Sequence, residues 1–450
     1  MREIRSVWSG WYAVVVLGGL YVVAGVDRLI LNLMVEPLRH DLHINDTQIS
    51  LLMGAAFAVF YSVVGLPLGR VADIGNRKWL VVSAAVVWGA CTLGSGLAGT
   101  FWLLCSLRIG VAIGEAALTP ASLSLICDLF PPERRAHASS VYMAFGAAGA
   151  TGAYILGGMA VNAAAGLPRI VLPLTGLVRP WQAVFLAVGA PALLLAALVA
   201  LTVKEPQRDA APASPGLTFA WIRKPYAPVF LMFVAAAIGQ VIVYGLGGWA
   251  PTYLVRRFHW AAGDAGISIG LISMVMGVSG MLLAPRIAEA WSARGRPDAP
   301  NLVLAGGLML GFPLVVAAAL APSAVGFLAF FGAGMIFIMG TGVMPFICVQ
   351  WAVPSRLRGE MLAAGLLGNA LTGIALGPTA VVLAARLLPG DQASHLGGGI
   401  AVVAAVCGPL AAACVLALRK PMARLIAAKG DEAALSPAQP PAASLAAGAL

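Results

Sequence analysis

The chain has 450 residues, of which 60% are hydrophobic and only 10% are charged. This composition excludes an ordinary soluble domain, in which about a quarter of the residues carry charge. The formal net charge of +10 does not indicate nucleic-acid binding, because the basic residues are spread over short segments between apolar stretches and form no compact patch.

Apolar stretches long enough to cross the roughly 30 Å hydrocarbon core of a bilayer recur from end to end. They predict an all-α membrane protein with twelve spans. No cleavable signal peptide is expected, because the first span is too long for one. The predicted spans are 11–38, 48–69, 79–99, 102–127, 138–163, 181–203, 227–255, 264–288, 301–320, 324–350, 360–388 and 396–418.

The distribution of basic residues predicts that both termini are cytoplasmic. With that orientation, six of the 28 Lys and Arg residues fall outside, two lie within spans and the other 20 lie on the cytoplasmic side. The outer six are Arg39, Arg169, Arg179, Arg256, Arg257 and Arg386, and the two within spans are Arg28 and Arg108. We expect an integral protein of the bacterial inner (plasma) membrane, with membrane lipid as its surroundings.

Charges inside the first and fourth spans are the most informative feature of the sequence. Asp27 and Arg28 interrupt the first span, and Arg108 and Glu115 interrupt the fourth. A charge at the bilayer centre costs about 2.5–3.5 kcal/mol on insertion scales. Four such charges in two spans predict a polar path through the protein.

The segment between the second and third spans, 65–78, reads GLPLGRVADIGNRK. It resembles the loop signature of the major facilitator superfamily, G-x-x-x-D-[RK]-x-G-[RK]-[RK], and departs from it at Ile74 and Asn76. The matching residues are Gly69, Asp73, Arg77 and Lys78. The resemblance implies a cytoplasmic gating loop, to which we add Arg134 and Arg135 after the fourth span. The alternative is a plain basic loop on the cytoplasmic side.

The depth of the buried charges predicts that spans one and four share a cavity. Asp27 lies 11 residues from the outer end of its span and Glu115 lies 13 residues from the outer end of its own. At about 1.5 Å per residue the two carboxyl groups have a similar depth. The polar stripes that carry them consist of Tyr21, Arg28, Asn32 and Glu36 on span one and of Arg108, Glu115, Thr119 and Ser122 on span four.

Two interpretations of these charges remain open. In the first, Asp27, Arg28, Arg108 and Glu115 form a static buried network of ion pairs, although such networks rarely add net stability. In the second, a carboxyl group gains and loses a proton, because a low-dielectric cavity favours its neutral form and a nearby guanidinium favours its charged form.

A polar, proline-rich segment near the middle divides the chain into two halves. We predict an N-terminal six-helix bundle over 1–203, a cytoplasmic linker over 204–225 and a C-terminal six-helix bundle over 226–420. The residues 421–450 are rich in Ala, Pro and Ser and are expected to form a disordered cytoplasmic tail. The halves also share a weak repeat, since PERR at 132–135 follows the fourth span and PSRLR at 354–358 follows the tenth. Weak internal symmetry of this kind is typical of duplicated transporter halves.

Polar residues in the second half are candidates for the opposite wall of the cavity. They are Gln240, Tyr244 and Trp249 on span seven and Asn369 and Thr372 on span eleven. Each residue taken alone is more often an interhelical hydrogen-bonding group. The five His and six Cys residues show no spacing typical of a metal site, and the absence of a phosphate-binding P-loop argues against ATP. We therefore predict no metal, no cofactor and no enzyme.

Several stretches resemble the spinster-like branch of the major facilitator superfamily. They are Asp27-Arg28, the segment 41–52, RIGVAIGEA at 108–116, DLFPPERR at 128–135 and GWAP at 248–251. The resemblance implies twelve transmembrane helices in two pseudo-symmetric six-helix bundles. It also implies proton coupling through Asp27, Arg28 and Glu115 and an amphiphilic cargo such as a lysophospholipid or a sphingolipid-like molecule.

The sequence thus predicts a secondary active transporter that works by alternating access. In this hypothesis Asp27 and Glu115 carry the proton, and Arg28 and Arg108 tune them or hold an anionic group of the substrate. A proton-linked transporter of small organic anions is the first alternative, and a membrane sensor without transport is the second. The expected partners are a small-molecule substrate, protons and membrane lipid, and the expected assembly is a monomer.

Overall fold

The computed structural model describes residues 2–166, 171–172, 176–206, 226–353, 355–389 and 392–435. Within these residues, twelve helical spans are long and apolar enough to cross a membrane, which confirms the predicted number. The spans are Ser9–Leu33, Asp46–Ile74, Arg77–Ser95, Phe101–Leu129, Glu133–Ala165, Pro180–Thr202, Ala227–Phe258, Ala262–Ser292, Ala299–Ala319, Ala324–Ala352, Ala364–Arg386 and His395–Ala417.

The first half is a helical bundle with one short hairpin. Its elements are α1 (Arg2–Ile30), a 3-10 turn (Leu31–Leu33), α2 (Val35–Leu42), α3 (Asp46–Ser50), a π turn (Leu51–Ala55), α4 (Ala56–Ile74), α5 (Arg77–Ser95), α6 (Phe101–Leu129), α7 (Pro132–Ala165), β1 (Val171–Leu172), β2 (Gly176–Leu177) and α8 (Pro180–Thr202). The two strands pair antiparallel, with Val171 opposite Leu177. This hairpin is a small departure from the predicted all-α architecture.

The second half is wholly helical among its described residues. Its elements are α9 (Ala227–Phe258), α10 (Ala262–Ile272), a π turn (Ser273–Gly277), α11 (Val278–Ser292), α12 (Ala299–Ala319), α13 (Ala324–Ala352), α14 (Ser355–Asn369), a π turn (Ala370–Ile374), α15 (Ala375–Arg386), α16 (Gln392–Ala417) and α17 (Arg419–Leu435). Most of the predicted linker, 207–225, lies outside the described residues.

The expectation of a disordered tail from residue 421 is wrong for its first part, because α17 continues to Leu435. Met422 is fully buried and extends the apolar core of the second half. Arg419, at the start of the helix, forms an ion pair with Asp298. Tertiary packing therefore orders a segment whose composition alone does not predict a helix. The residues 436–450 lie outside the described part.

Among the described residues, the apolar core that the two halves share lies toward one end of the molecule. Residues 43–45, between α2 and α3, mark what we call the joined end, and residues 75–76, between α4 and α5, mark the split end. At the joined end, one apolar core combines residues of both halves, such as Leu31 and Trp249. At the split end, each half has a separate core within the described residues, the first of them around Trp88. Among the described residues, the two halves therefore share an apolar core at the joined end and not at the split end.

Glycines allow the close approach of the halves at the joined end. A Cβ at Gly158 of α7 would collide with the backbone carbonyl of Gly263 at the start of α10. Gly54, in the first π turn, lies in the same way against the carbonyl of Ile374, in the third. Close backbone approach through small residues is how helices pack in membranes, where no hydrophobic effect drives them together.

Gly158→Ala should destabilise the protein by about 1–3 kcal/mol, because the new methyl group meets backbone atoms that cannot move aside cheaply. Gly152→Ala, on the same helix, is the matched control, since no atom lies within 4 Å of its added Cβ. That control should be neutral or more stable by about 0.5–1 kcal/mol, as for any helical Gly→Ala change. Thermal unfolding in detergent compares the two. Equal stabilities would show that α7 and α10 are not in close contact.

Candidate functional site

The four charges of spans one and four lie together and form two ion pairs between α1 and α6. Arg108 Nη1 lies 3.3 Å from Asp27 Oδ1, and Arg28 Nη2 lies 2.7 Å from Glu115 Oε2. Each acid is therefore paired with the base of the other helix. We call these residues the four-charge cluster.

The Asp27–Arg108 pair is buried, and both of its carboxylate oxygens are hydrogen-bonded, whereas Arg108 Nε has no partner among the described residues. Both side chains are 1% exposed. Thr92 of α5 donates a hydrogen bond to Asp27 Oδ2, and Arg108 Nη1 also donates to the Asp27 backbone carbonyl at 3.3 Å. Because both carboxylate oxygens have partners, this pair has the form of a structural ion pair.

The Arg28–Glu115 pair differs in access and in hydrogen bonding. The Arg28 side chain is 29% exposed, whereas that of Glu115 is completely buried. Arg28 donates twice to Glu115 Oε2, from Nη2 and from Nε at 3.3 Å. Glu115 Oε1 is buried and has no hydrogen-bond partner within the described part of the chain. A buried carboxylate oxygen without a partner is unfavourable, so this position suits a proton, a water molecule or a ligand group.

Aromatic rings surround the accessible guanidinium of Arg28. Its Cζ lies 5.0 Å from the ring centre of Phe57 and 5.2 Å from that of Tyr61, both on α4. Such rings stabilise a cation that has lost part of its water.

Close packing of α6 against α5 and of α1 against α7 fixes the position of the four-charge cluster. Gly114 precedes Glu115, and a Cβ at Gly114 would lie 2.8 Å from the Ala84 carbonyl of α5. Gly25 precedes Asp27 by two residues and packs against the backbone of Gly149 on α7. These two contacts fix the rotation of α6 and α1, so that their charged residues point at each other.

Further hydroxyl groups lie on the α6 stripe toward the split end. Ser122 is buried, Thr119 is half-buried and Tyr142 of α7 lies beside both. Tyr142 also stacks on Tyr21 at a centroid distance of 5.1 Å. The hydroxyls of Ser122 and Tyr142 have no hydrogen-bond partner among the described residues. Tyr142 is not a candidate from the sequence, because its polarity is hidden in an alanine- and glycine-rich span.

The polar residues of the second half that the sequence predicts for the opposite wall of the cavity differ from one another in burial and in their contacts. Tyr244 packs on Gly373 and Gly377, and Gln240, also on α9, is buried. Thr372 donates to the Gly368 carbonyl within its own helix at 2.7 Å. Asn369 is half-buried, and its Oδ1 has no partner in the described part of the chain.

The placement of Trp249 in the cavity wall is wrong. Its side chain is fully buried, and its Nε1 donates to the Pro378 carbonyl of α15 at 2.9 Å. Asn32, which the sequence also predicts to line the cavity, is buried and donates a hydrogen bond to the Tyr154 hydroxyl at 2.9 Å. That hydroxyl in turn donates to the Gly247 carbonyl at 2.6 Å, so it links the two halves.

The placement of Glu36 in the cavity is also wrong, because this residue lies beyond the span, in α2. Arg256 of α9 donates to Glu36 Oε1 at 2.6 Å and to both oxygens of Asp46 at 2.8 Å. We call these three residues the joined-end latch. No local sequence pattern predicts this latch, because its partners are 210 and 220 residues apart. The signal was the presence of Arg256 on the side that the positive-inside rule leaves poor in basic residues.

A second contact fixes α2 against α8 at the joined end. Trp181 Nε1 donates to Asp41 Oδ2 at 2.6 Å, and Arg179 lies 2.9 Å from the same oxygen. Burial raises the pKa of Asp41, but hydrogen bonds from His40, Trp181 and Arg179 outweigh it, so the pKa lies below its usual value. Asp41 is therefore ionised at neutral pH.

The loop at the split end is organised around a buried arginine. Arg77 is 1% exposed and forms ion pairs with Asp128 of α6 and with Glu205 after α8. Arg77 thus ties three helices of the first half together, whereas the sequence suggested a cytoplasmic surface residue. Asp73 is exposed, and no atom lies within 4 Å of a Cβ added at Gly69. In this conformation both face open space.

The other basic residues assigned to the gating loop lie nearer the surface. Lys78 is half-buried, and its backbone N–H donates to Glu205 at 2.7 Å. Arg134 is exposed, and Arg135 donates to the Phe130 carbonyl at 3.0 Å. These contacts all stay within the first half.

Comparison with known proteins gives the family. The family model described as Major Facilitator Superfamily matches residues 17–378. An "MFS-type efflux pump" of Mycolicibacterium smegmatis is 32% identical over 289 residues, which are 63% of this chain and 63% of the pump. "Protein spinster homolog 1" of Bos taurus is 25% identical over 402 residues, which are 82% of this chain and 73% of that protein. The chain thus spans somewhat less than two thirds of the length of the pump.

A solved structure agrees with this assignment. The inward-facing, occupied form of a bacterial homologue of the human lysosomal transporter Spinster is 26% identical, with a TM-score of 0.75. The match covers 94% of this chain and 95% of that one. The unoccupied inward-facing form has the same TM-score at 24% identity and shows the same fold. The chain therefore belongs to the major facilitator superfamily of membrane transporters and is similar to its spinster-like members.

Proposed function

We propose that this protein is a proton-coupled secondary active transporter that works by alternating access. The observation that carries the proposal is the Arg28–Glu115 pair, in which a fully buried acid with one unpartnered oxygen is held by a partly exposed base. An ion pair that serves only stability has no need of an accessible member or an unsatisfied oxygen.

The proposed orientation places the joined end outside the cell and the split end in the cytoplasm. It follows the excess of basic residues in the loops of the split end. The conformation described here is then inward-facing, with the outer side closed by the joined-end latch and by the apolar core that the halves share. The inward-facing forms of the bacterial Spinster homologue have the same fold.

The Arg28–Glu115 pair suggests how protonation is coupled to substrate binding. When Glu115 is ionised, Arg28 is bound to it by two hydrogen bonds. Protonation of Glu115 removes the charge that holds the guanidinium, and Arg28 becomes free to bind an anionic group of the substrate. Asp27 is the weaker candidate for the proton, because Thr92 and Arg108 occupy both of its oxygens.

The cargo proposed is an amphiphile with an anionic head, such as a lysophospholipid. Arg28 supplies the positive charge, and the rings of Phe57 and Tyr61 beside it supply apolar surface. The partial exposure of Arg28 also suits a small organic anion, which is the second candidate.

Transport into proteoliposomes separates these possibilities. Labelled lysophospholipid and labelled organic acids are offered with and without a pH gradient across the membrane. The proposal expects gradient-dependent accumulation of an anionic amphiphile. Accumulation of the organic acids alone would select the second candidate. Saturable binding without accumulation of any substrate would identify a sensor and refute transport.

Loss of the latch should open the joined end. Arg256→Gln removes the cation that both Glu36 and Asp46 share. Hydrogen bonds to charged groups contribute roughly 1.5–3 kcal/mol each, so the population with an open joined end should rise at least tenfold. Spin labels at His40 and Ala261, one on each half, report the distance across this end.

Arg257→Gln is the matched control for the latch. It removes the same charge from the neighbouring residue, which is exposed and lies against Phe258. This variant should keep the distance distribution of the unmodified protein. If Arg256→Gln also keeps it, the latch does not hold the joined end closed.

A further inference from the structure

A polar cavity lies at the joined end, and none of the residues of the four-charge cluster lines it. It has a volume of about 230 Å³ and lies between the two halves. Arg39, Asn45 and Asp46 line it from the first half, and Arg386 and His395 line it from the second. The transport site proposed above uses none of these residues.

The lining carries an excess of positive charge. Arg256 donates to both oxygens of Asp46, so the one carboxylate of the lining is already neutralised. The guanidinium of Arg39 lies 3.2 Å from Asp46, and Arg386 lines the same cavity from the other half. Arg39 and Arg256 also pair with Glu36, so three guanidinium groups lie near two carboxylates and leave an excess of one positive charge.

A buried nitrogen in the lining offers a hydrogen-bonding group to a ligand. His395 Nε2 has no hydrogen-bond partner among the described residues, although it is screened from solvent. A buried polar atom without a partner is unfavourable unless something that the protein binds satisfies it. An anion in this cavity would accept a hydrogen bond from that nitrogen when it carries a proton.

We propose that this cavity binds a phosphate group and that binding holds the joined end closed. The planar guanidinium fork matches phosphate oxygens in pairs, which makes Arg the usual residue for phosphate. The volume is below the 300–1,000 Å³ that is typical of sites for drug-sized ligands, so it suits a small anionic group rather than a whole amphiphile. The group belongs either to free inorganic phosphate or to the head of an anionic phospholipid.

The site has a conformational consequence because its two sides belong to different halves. A ligand that contacts both halves binds only where they lie together, so it stabilises the conformation in which the joined end is closed. The phosphate group would then slow or suppress outward opening. This regulation is separate from the substrate chemistry and is measured without transport.

Binding is tested on the full chain with two sources of phosphate. Inorganic phosphate is titrated into the detergent-solubilised protein by calorimetry. Nanodiscs containing phosphatidic acid are compared with nanodiscs containing only phosphatidylcholine, and the distance between spin labels at His40 and Ala261 is followed. Saturable binding of inorganic phosphate indicates a free anion, and a shorter distance with phosphatidic acid alone indicates a lipid head.

Two variants remove proposed ligands of the phosphate and leave the three residues of the joined-end latch themselves unchanged. Arg386→Gln and His395→Gln should each weaken the binding of inorganic phosphate or of phosphatidic acid, whichever binds, by about tenfold or more. Each variant removes a charge-assisted or buried hydrogen bond. Arg257→Gln, which removes a charge from the same end but outside the cavity, should bind as the unmodified protein does.

The proposal is overturned if neither source of phosphate binds, or if both cavity variants bind as tightly as the Arg257→Gln control. It is also overturned if phosphate binds but leaves the label distance unchanged. Loss of proton-driven transport in Glu115 variants has no bearing on these readouts, so the two proposals fail independently.

Discussion

Glu115→Gln should abolish proton-driven accumulation of substrate. Glutamine keeps the shape of the side chain and an oxygen that can accept from Arg28, but it cannot ionise. One pH unit is worth about 1.36 kcal/mol per proton. A transporter that moves one proton with each substrate therefore concentrates its substrate up to about tenfold per unit of gradient. The variant should show none of this accumulation and should transport at a rate that is independent of pH.

The measurement is uptake into proteoliposomes with an imposed pH gradient, combined with a fluorescent reporter of internal pH. Glu289→Gln is the matched control, because Glu289 is exposed on α11 and far along the chain from the cluster. It should accumulate substrate as the unmodified protein does. If Glu115→Gln still couples proton movement to substrate, Glu115 does not carry the proton.

Arg108→Met should lower the stability of the fold by about 3–5 kcal/mol, because it leaves the Asp27 carboxylate buried without its partner. Both side chains are 1% exposed, so water cannot replace the lost hydrogen bonds. The double variant Asp27→Leu with Arg108→Met removes both charges together. It should recover most of the loss, since a buried pair can often be exchanged for apolar residues of similar volume.

Unfolding in denaturant or by heat, followed in detergent, gives the stabilities for this cycle. Arg28→Met is the contrasting variant, because the Arg28 side chain is 29% exposed. It should lose transport with a smaller loss of stability. If Arg108→Met is as stable as the unmodified protein, the Asp27–Arg108 pair is not the structural pair of the cluster.

The fold and the meeting of spans one and four could be predicted from simple quantities. The length of the apolar stretches fixes the number of spans, and a rise of 1.5 Å per residue fixes the relative depth of Asp27 and Glu115. Neither quantity decides which base meets which acid. The pairing of Asp27 with Arg108 and of Arg28 with Glu115 depends on how the helices are rotated about their axes. Gly25 and Gly114 set this rotation through close packing.

The misplaced residues depend on features that no local sequence pattern carries. Glu36 was assigned to the cavity from a constant helical period, but α1 ends at Ile30 and a 3-10 turn follows. Trp249 was assigned from its polar Nε1 alone, which instead donates to the Pro378 carbonyl. The partner of Glu36, Arg256, comes from the other half, and a contact at that separation leaves no local pattern. Arg77 looked like a surface base because burial of a charge depends on acids elsewhere in the fold, here Asp128 and Glu205.

The three π turns have a consequence for how the halves move. Each holds one residue more than a regular turn, so the side chains beyond it are rotated by about 100° around the helix axis. Two of them, Leu51–Ala55 and Ala370–Ile374, contact each other across the halves through Gly54 and Ile374. If such a π turn moves along its helix, the residues that it passes rotate about the helix axis, while the two ends of the helix stay in place. Such a movement in spans two, eight and eleven would let the joined end open and close by a screw-like motion in addition to the rocking of rigid bundles.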